Sequence, residues 1–182
     1  MTIRRAEPSE AAAYADCASN AFFEAYRATA EPENMARHRA REFGEPQQRR
    51  ELEDPAFTVL AACEPDGAWA GFVALHADVR ADGVTAVRPI EIWRFYTREK
   101  WYGRGLAQLL MQSAFEFARS RGHDGIWLQV WEHNARARRF YEKSGFGAVG
   151  RKPFLFGEVE ENDVVYEARF GLGAPLTSPV SL

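Results

Sequence analysis

The sequence has only two cysteines in 182 residues, Cys17 and Cys63, set far apart. Two isolated thiols form neither a disulfide framework nor a zinc site, so the reduced cytoplasm is the expected compartment. No apolar run reaches transmembrane length, and the opening MTIRRAEPSEAAAYAD has no signal-peptide core, so neither a membrane span nor a secretory leader is expected. Neither sign of charge dominates. There are 23 basic and 26 acidic residues, a net charge of −3 and a pI near 5.9. That balance argues against general affinity for nucleic acid or for anionic membrane. His38, His76, His123 and His133 show no ligand spacing, so no metal is expected. Neither cysteine has a matching histidine motif, which argues against a covalent thiol mechanism.

The remainder is ordinary globular composition, 46% hydrophobic and 27% charged, and is long enough to close a core without staples. We expect one domain over 1–170. The stretch GLGAPLTSPVSL at 171–182 has no periodicity and reads as a loosely ordered tail.

Strand-type runs fall at 2–6, 57–63, 68–77, 90–97 and 126–131, with a final hairpin over 146–156 and 163–170. Helical spacing follows Pro8-Ser9-Glu10, where Ser9 is the expected N-cap. Gly44 and Pro46 divide 31–53 into two short helices. Residues 103–121 place Leu106, Leu109, Leu110, Ala114, Phe117 and Ala118 on one face. Asn134 caps a helix that Gly145 ends, and 78–89 reads as a loop. Helices alternating with strands late in the chain imply crossovers, hence an α+β fold with a mixed sheet.

The most informative segment is Thr97 to Ala107, TREKWYGRGLA. A strand ends, a polar loop follows, and Gly103 and Gly105 sit where a helix begins. Backbone N–H groups there converge on one spot with the helix dipole behind them, which suits an anion. Arg104 adds charge, and Ala107 keeps that side open. A dinucleotide fingerprint is excluded by Gln108, and no G-x-x-x-x-G-K-[ST] run exists.

This segment resembles motif A of the GNAT superfamily of acyl-CoA N-acyltransferases, [RQ]-x-x-G-x-[GA]. It lies on Tyr102-Gly103-Arg104-Gly105-Leu106-Ala107, with Tyr102 departing from the usual Arg or Gln. Asn134, Ala137, Phe140, Tyr141 and Gly145-Phe146 resemble motif B, N-x-x-A-x-x-F-Y-x-x-x-G-F. The longer match, RFY…GRGLAQLLM…WLQVWEHN…ARRFYEKSGF, together with FGEPQQRREL at 43–52, is similar to bacterial PaiA-type polyamine N-acetyltransferases.

The resemblance implies a mostly antiparallel sheet with helices on both faces and a V-shaped splay between the strands at 90–97 and 126–131. It implies acetyl-CoA as cosubstrate, a small amine as acceptor and direct attack in a ternary complex, and it makes a homodimer possible. The diphosphate would rest on residues 102–107, and the pantetheine arm would pair with Phe95, Tyr96 and Thr97. Asn134 and Tyr141 would face the cleft, with Tyr141 as the general acid. Glu91, on the period-two face of Trp93, Phe95 and Thr97, is the candidate base, with Glu132 and a water chain as alternatives. Gln129 holds a position where many members carry glutamate, and it cannot be a base.

Core packing is weighed above ligand stacking for Trp93, Trp127 and Trp131, and a solvated helix face above a contact with the 3′-phosphate of CoA for Arg136, Arg138, Arg139 and Lys143. The run Glu158, Glu160, Glu161 and Asp163 is either a solvated turn or an attraction for a cationic amine. Peptide acetylation and a non-catalytic acyl-CoA-binding role are the alternative functions.

Overall fold

The computed structural model describes residues 1–28, 30–156 and 159–171. Seven strands form one sheet in the order β1-β2-β3-β4-β5-β7-β6. They are β1 (Thr2–Arg5), β2 (Phe57–Cys63), β3 (Trp69–Ala77), β4 (Pro89–Thr97), β5 (Gly125–Trp131), β6 (Gly147–Phe156) and β7 (Val159–Arg169). Only β4 and β5 are parallel, and every other neighbouring pair is antiparallel. The parallel pair follows from the connection, because the helix after β4 carries the chain back before β5 begins.

Five helices flank the sheet: α1 (Ala11–Tyr26), α2 (Pro32–Glu42), α3 (Glu45–Glu53), α4 (Leu106–Ser120) and α5 (Ala135–Lys143). On one face α4 and α5 bury Leu106, Leu110, Met111 and Tyr141 against Val73, Ile90, Ile126 and Leu128. On the other face α1 and α2 bury Tyr14, Phe22 and Met35 against Val59, Phe72 and Ala74. A third, smaller core forms where Ala81, Val84 and Ala86 of the 78–89 segment cover Trp127 and Val165. That loop is held by Glu167, whose carboxylate accepts hydrogen bonds from the N–H groups of Thr85 and Ala86.

Several local expectations are revised. Ser9 lies inside a short 3-10 turn, and the cap is a reciprocal box between Glu7 and Glu10. Arg4 clamps Glu10 at 2.7 Å and, as its largest influence, holds the carboxyl down at about 2. The helix expected from 103 starts at Leu106, and on it Leu109 is exposed while Met111 takes the buried place. The tail at 172–182 lies outside the described residues.

The sheet's defining irregularity is in β4. Ala74 pairs with Arg94 but Leu75 pairs with Ile92, so Trp93 is an extra, bulged residue. A one-residue insertion exchanges the faces of everything beyond it. Ile90 and Ile92 lie in the α4 core before the bulge, and Phe95 packs there after it. Arg94 and Tyr96 turn toward α1 and α3 instead. The period-two grouping of Glu91 with Phe95 and Thr97 therefore fails at Trp93.

Candidate active site

β4 and β5 pair only through Pro89–Gly125, Ile90–Ile126 and Glu91–Trp127. Beyond Glu91 the strands diverge, which leaves one edge of Ile92–Thr97 without a strand partner. The divergence opens a cleft of ≈ 730 Å³ through the sheet. Its lining comes from both faces, Phe95, Phe140 and Tyr141 from the α4 side and Phe22, Phe43, Arg94 and Tyr96 from the α1 side.

The turn into α4 forms one boundary. Gly103 and Gly105 adopt φ of +72° and +80°, left-handed backbone that side chains disfavour. A Cβ at either glycine would meet nothing within 4 Å, so backbone conformation and not crowding requires them. The N–H groups of Tyr102 and Arg104 close the turn onto Glu99 and Trp101. Those of Gly103, Gly105, Leu106, Ala107 and Gln108 have no backbone acceptor among the described residues. With the positive end of the 15-residue α4 behind them, they form an anion cradle. Tyr102 and Ala107 line the cleft beside it. Arg136 is exposed, as expected of a solvated helix face, and its guanidinium lies 4.0 Å over the Tyr102 ring at the edge of the same cleft.

α5 forms the next wall. Asn134 caps it by accepting the Ala137 N–H at 3.1 Å, and both residues line the cleft. Tyr141, only 8% exposed, packs against Phe95 and Phe146. Burial, reinforced by the nearby Tyr26 phenol, raises its pKa, so it keeps its proton. Tyr26, from the end of α1, interacts with Tyr96 and Asn134 from the two sides of the gap.

On the opposite face, alternation along β5 points Trp127, Gln129 and Trp131 away from α4. Gln129 and Trp131 line the cleft, as does Asp163, which pairs with Trp131 across β7 and is 6% exposed. Trp93 also lines it, 41% exposed, whereas Trp127 is the one of the three that lies fully in a core. Arg94 is anchored by both Glu51 oxygens at 2.6 Å, and Glu51 also accepts from Tyr14 at 3.0 Å. This buried pair ties α3 and α1 to β4 just past the bulge.

Glu91 is not among the cleft-lining residues. It is 3% exposed at the apex, with an oxygen 3.8 Å from His76 Nδ1. Burial lifts its pKa to about 7, against a smaller lowering by Lys152. Glu132 is drawn off to Arg151 at 2.7 Å. Of the acidic run, Glu158 falls outside the described residues. Sequence reasoning did not single out Tyr26 or Arg94. Tyr26 carried only a core-like helical spacing, and nothing local marks Arg94, because its partner lies 43 positions away. Among the described residues, no group of three His, Cys, Asp or Glu could hold a metal, and no helix is long and apolar enough to cross a membrane.

An open-amide turn at a helix start, a splayed parallel pair and a buried tyrosine thus border one cleft. The family model described as "Acetyltransferase (GNAT) family" matches residues 19–146, and the chain belongs to that family. An uncharacterised N-acetyltransferase of Lactobacillus delbrueckii subsp. lactis is 30% identical over 132 residues, 72% of this chain and 76% of that one. Streptothricin acetyltransferase of Streptomyces lavendulae is 32% identical over 106 residues, 58% and 53% of the two chains. The PaiA N-acetyltransferase of Thermoplasma acidophilum, solved with coenzyme A, superposes with a TM-score of 0.74 at 17% identity, covering 93% and 98%, and so shares the fold. The protein is an N-acetyltransferase that uses acetyl-CoA.

Proposed function

We propose that the acetyl acceptor is the primary amine of a small cationic molecule of polyamine type. Asp163 carries this reading. It is a nearly buried carboxylate lining the cleft on the face opposite Tyr141, where a cation gains most and an anion is repelled. Trp93 and Trp131 line the same side, and aromatic rings suit alkylammonium groups.

In this reading the N–H groups of Gly103, Gly105, Leu106 and Ala107 hold the diphosphate, with Tyr102, Arg104 and Arg136 around it. The free edge of β4 at Phe95, Tyr96 and Thr97 receives the amides of the pantetheine arm, and Asn134 faces it from α5. A β4 amide near the bulge donates to the developing oxyanion. The amine nitrogen forms a bond to the acetyl carbon as the C–S bond breaks, and Tyr141 gives its proton to the departing sulfur. The nitrogen's surplus proton leaves through water to Glu91. A carboxyl poised near 7 is matched to that task, and its position at the apex calls for an intervening water.

The test is release of free coenzyme A thiol against a panel of amines. Spermidine and simple diamines should support release well above the rate of hydrolysis. Release with N-terminal peptides alone would transfer the assignment to peptide acetylation.

A further inference from the structure

We propose that Gln129 selects primary amines by accepting a hydrogen bond from the acceptor nitrogen, a bond that a secondary amine cannot keep. The inference rests on the amine-acceptor reading above. The Gln129 side-chain oxygen is enclosed and has no hydrogen-bond partner among the described residues. Native structures rarely leave such an oxygen unanswered, since desolvation without a donor is unfavourable. Gln129 lines the cleft, on the face that carries Trp131 and Asp163. It lies two residues past Trp127, the last β5 residue paired with β4, so it stands where the sheet first opens. Because the oxygen is enclosed while the residue lines the cleft, a donor entering from the α1 side reaches it once the terminal amide turns toward the cleft.

The hydrogen count decides which donor. A neutral primary amine has two N–H bonds and a lone pair. Its lone pair forms the C–N bond, the C–S bond breaks, and one nitrogen proton is lost. The other proton stays through to the product amide, so its bond to Gln129 persists across the whole step. A neutral secondary amine has one N–H, and that proton must leave. Its transfer ends with a tertiary amide and an orphaned glutamine oxygen. The penalty falls late in the step, on the rate and not only on binding. Gln129 therefore acts as a specificity-determining group and takes no proton itself, since an amide is not basic enough.

The experiment compares kcat/KM for a primary alkyldiamine and its N-methylated counterpart, in the wild type, Gln129→Met and Gln129→Glu. Methionine has a similar volume but no oxygen, and removal of an unpartnered buried oxygen should leave the melting temperature unchanged or higher. Wild type should favour the primary amine by about tenfold or more, the scale of one hydrogen bond to a reacting group. Gln129→Met should shrink that preference to within about twofold while the KM for acetyl-CoA stays put, and Gln129→Glu, which keeps an oxygen, should retain it. An unchanged preference in Gln129→Met, or an equal loss for both amines, overturns the role of Gln129 and leaves the amine reading intact. A wild type that releases no thiol with any amine overturns the reading itself, and this inference with it.

Discussion

The two sides of the V-shaped cleft are built in different ways. On the α4–α5 side two short stretches at helix starts, 102–107 and 134–141, line the cleft, and Ile92, Phe95, Leu128 and Val130 of β4 and β5 add to them. On the α1–α2 side the groups come from five separate places: Tyr26, Phe43, Arg94, Gln129 and Asp163. The first side is made of backbone amides, a capped helix and one phenol, so it depends on local conformation. The second is made of side chains that long-range pairing brings together, such as Arg94 with Glu51 and Trp131 with Asp163. A local site can serve a cosubstrate common to a whole family, while the dispersed one is free to vary with the acceptor.

Removing the Tyr141 hydroxyl should have the largest effect on the first side. Tyr141→Phe keeps the ring against Phe95 and Phe146, so packing survives while the proton donor is lost. We expect kcat to fall by about 10²-fold or more, with the KM for acetyl-CoA changed less than about threefold. Steady-state kinetics with the best amine decides it, and unchanged turnover would remove Tyr141 from catalysis.

A smaller effect separates conformation from chemistry on the same side. Gly105→Val forces a branched side chain into φ +80° and sets a Cβ in the open space before the free amides. Left-handed backbone at a β-branched residue costs about 1–2 kcal/mol, so the melting temperature should drop by several degrees. The KM for acetyl-CoA should rise by about tenfold, since anion approach and amide geometry suffer together. Gly67→Val, at φ +89° in the β2–β3 turn and equally unobstructed, is the control. It should lose similar stability with no change in that KM. An equal KM change in both variants would mean that strain alone accounts for the loss.

The same contrast explains what the amino-acid order made legible. The glycine turn, the Asn134 cap and Tyr141 each fall within a short motif, so the resemblance to motifs A and B locates them on the sequence. The mixed sheet followed from the order of elements and its crossovers, and the helices on both faces from the resemblance to the GNAT superfamily. The bulge at Trp93 was not legible, because a pattern read at period two contains no sign of one added residue. That single insertion put Arg94 and Tyr96 on the α1–α3 face and separated Glu91 from Phe95. Arg136 is exposed, as expected, but its stacking on Tyr102 was not legible, because only the folded turn brings that ring beneath it. The α1–α2 side stayed dim for the same reason that it is dispersed, since no segment of the chain contains it.

The apex between the two sides gives the mildest test, and it reads stability as well as rate. Glu91 is pushed up to about 7 chiefly by burial, so the folded state holds its proton more tightly than the unfolded chain does near 4.5. Its contribution is complete below pH 4.5 and is lost as pH rises through about 7. Wild-type stability should therefore decline across that interval by up to about 3 kcal/mol, and Glu91→Gln, which cannot ionise, should lack that part of the decline. Chemical denaturation of both proteins at pH 5 and pH 8 measures it: the variant gains on the wild type at pH 8 and not at pH 5. If Glu91 also takes the amine's proton, the acid limb of kcat/KM near pH 7 disappears in the same variant. A retained limb together with the stability gain would make Glu91 a buried carboxyl of the apex alone and leave proton removal to water, which would place both halves of the chemistry on the α4–α5 side.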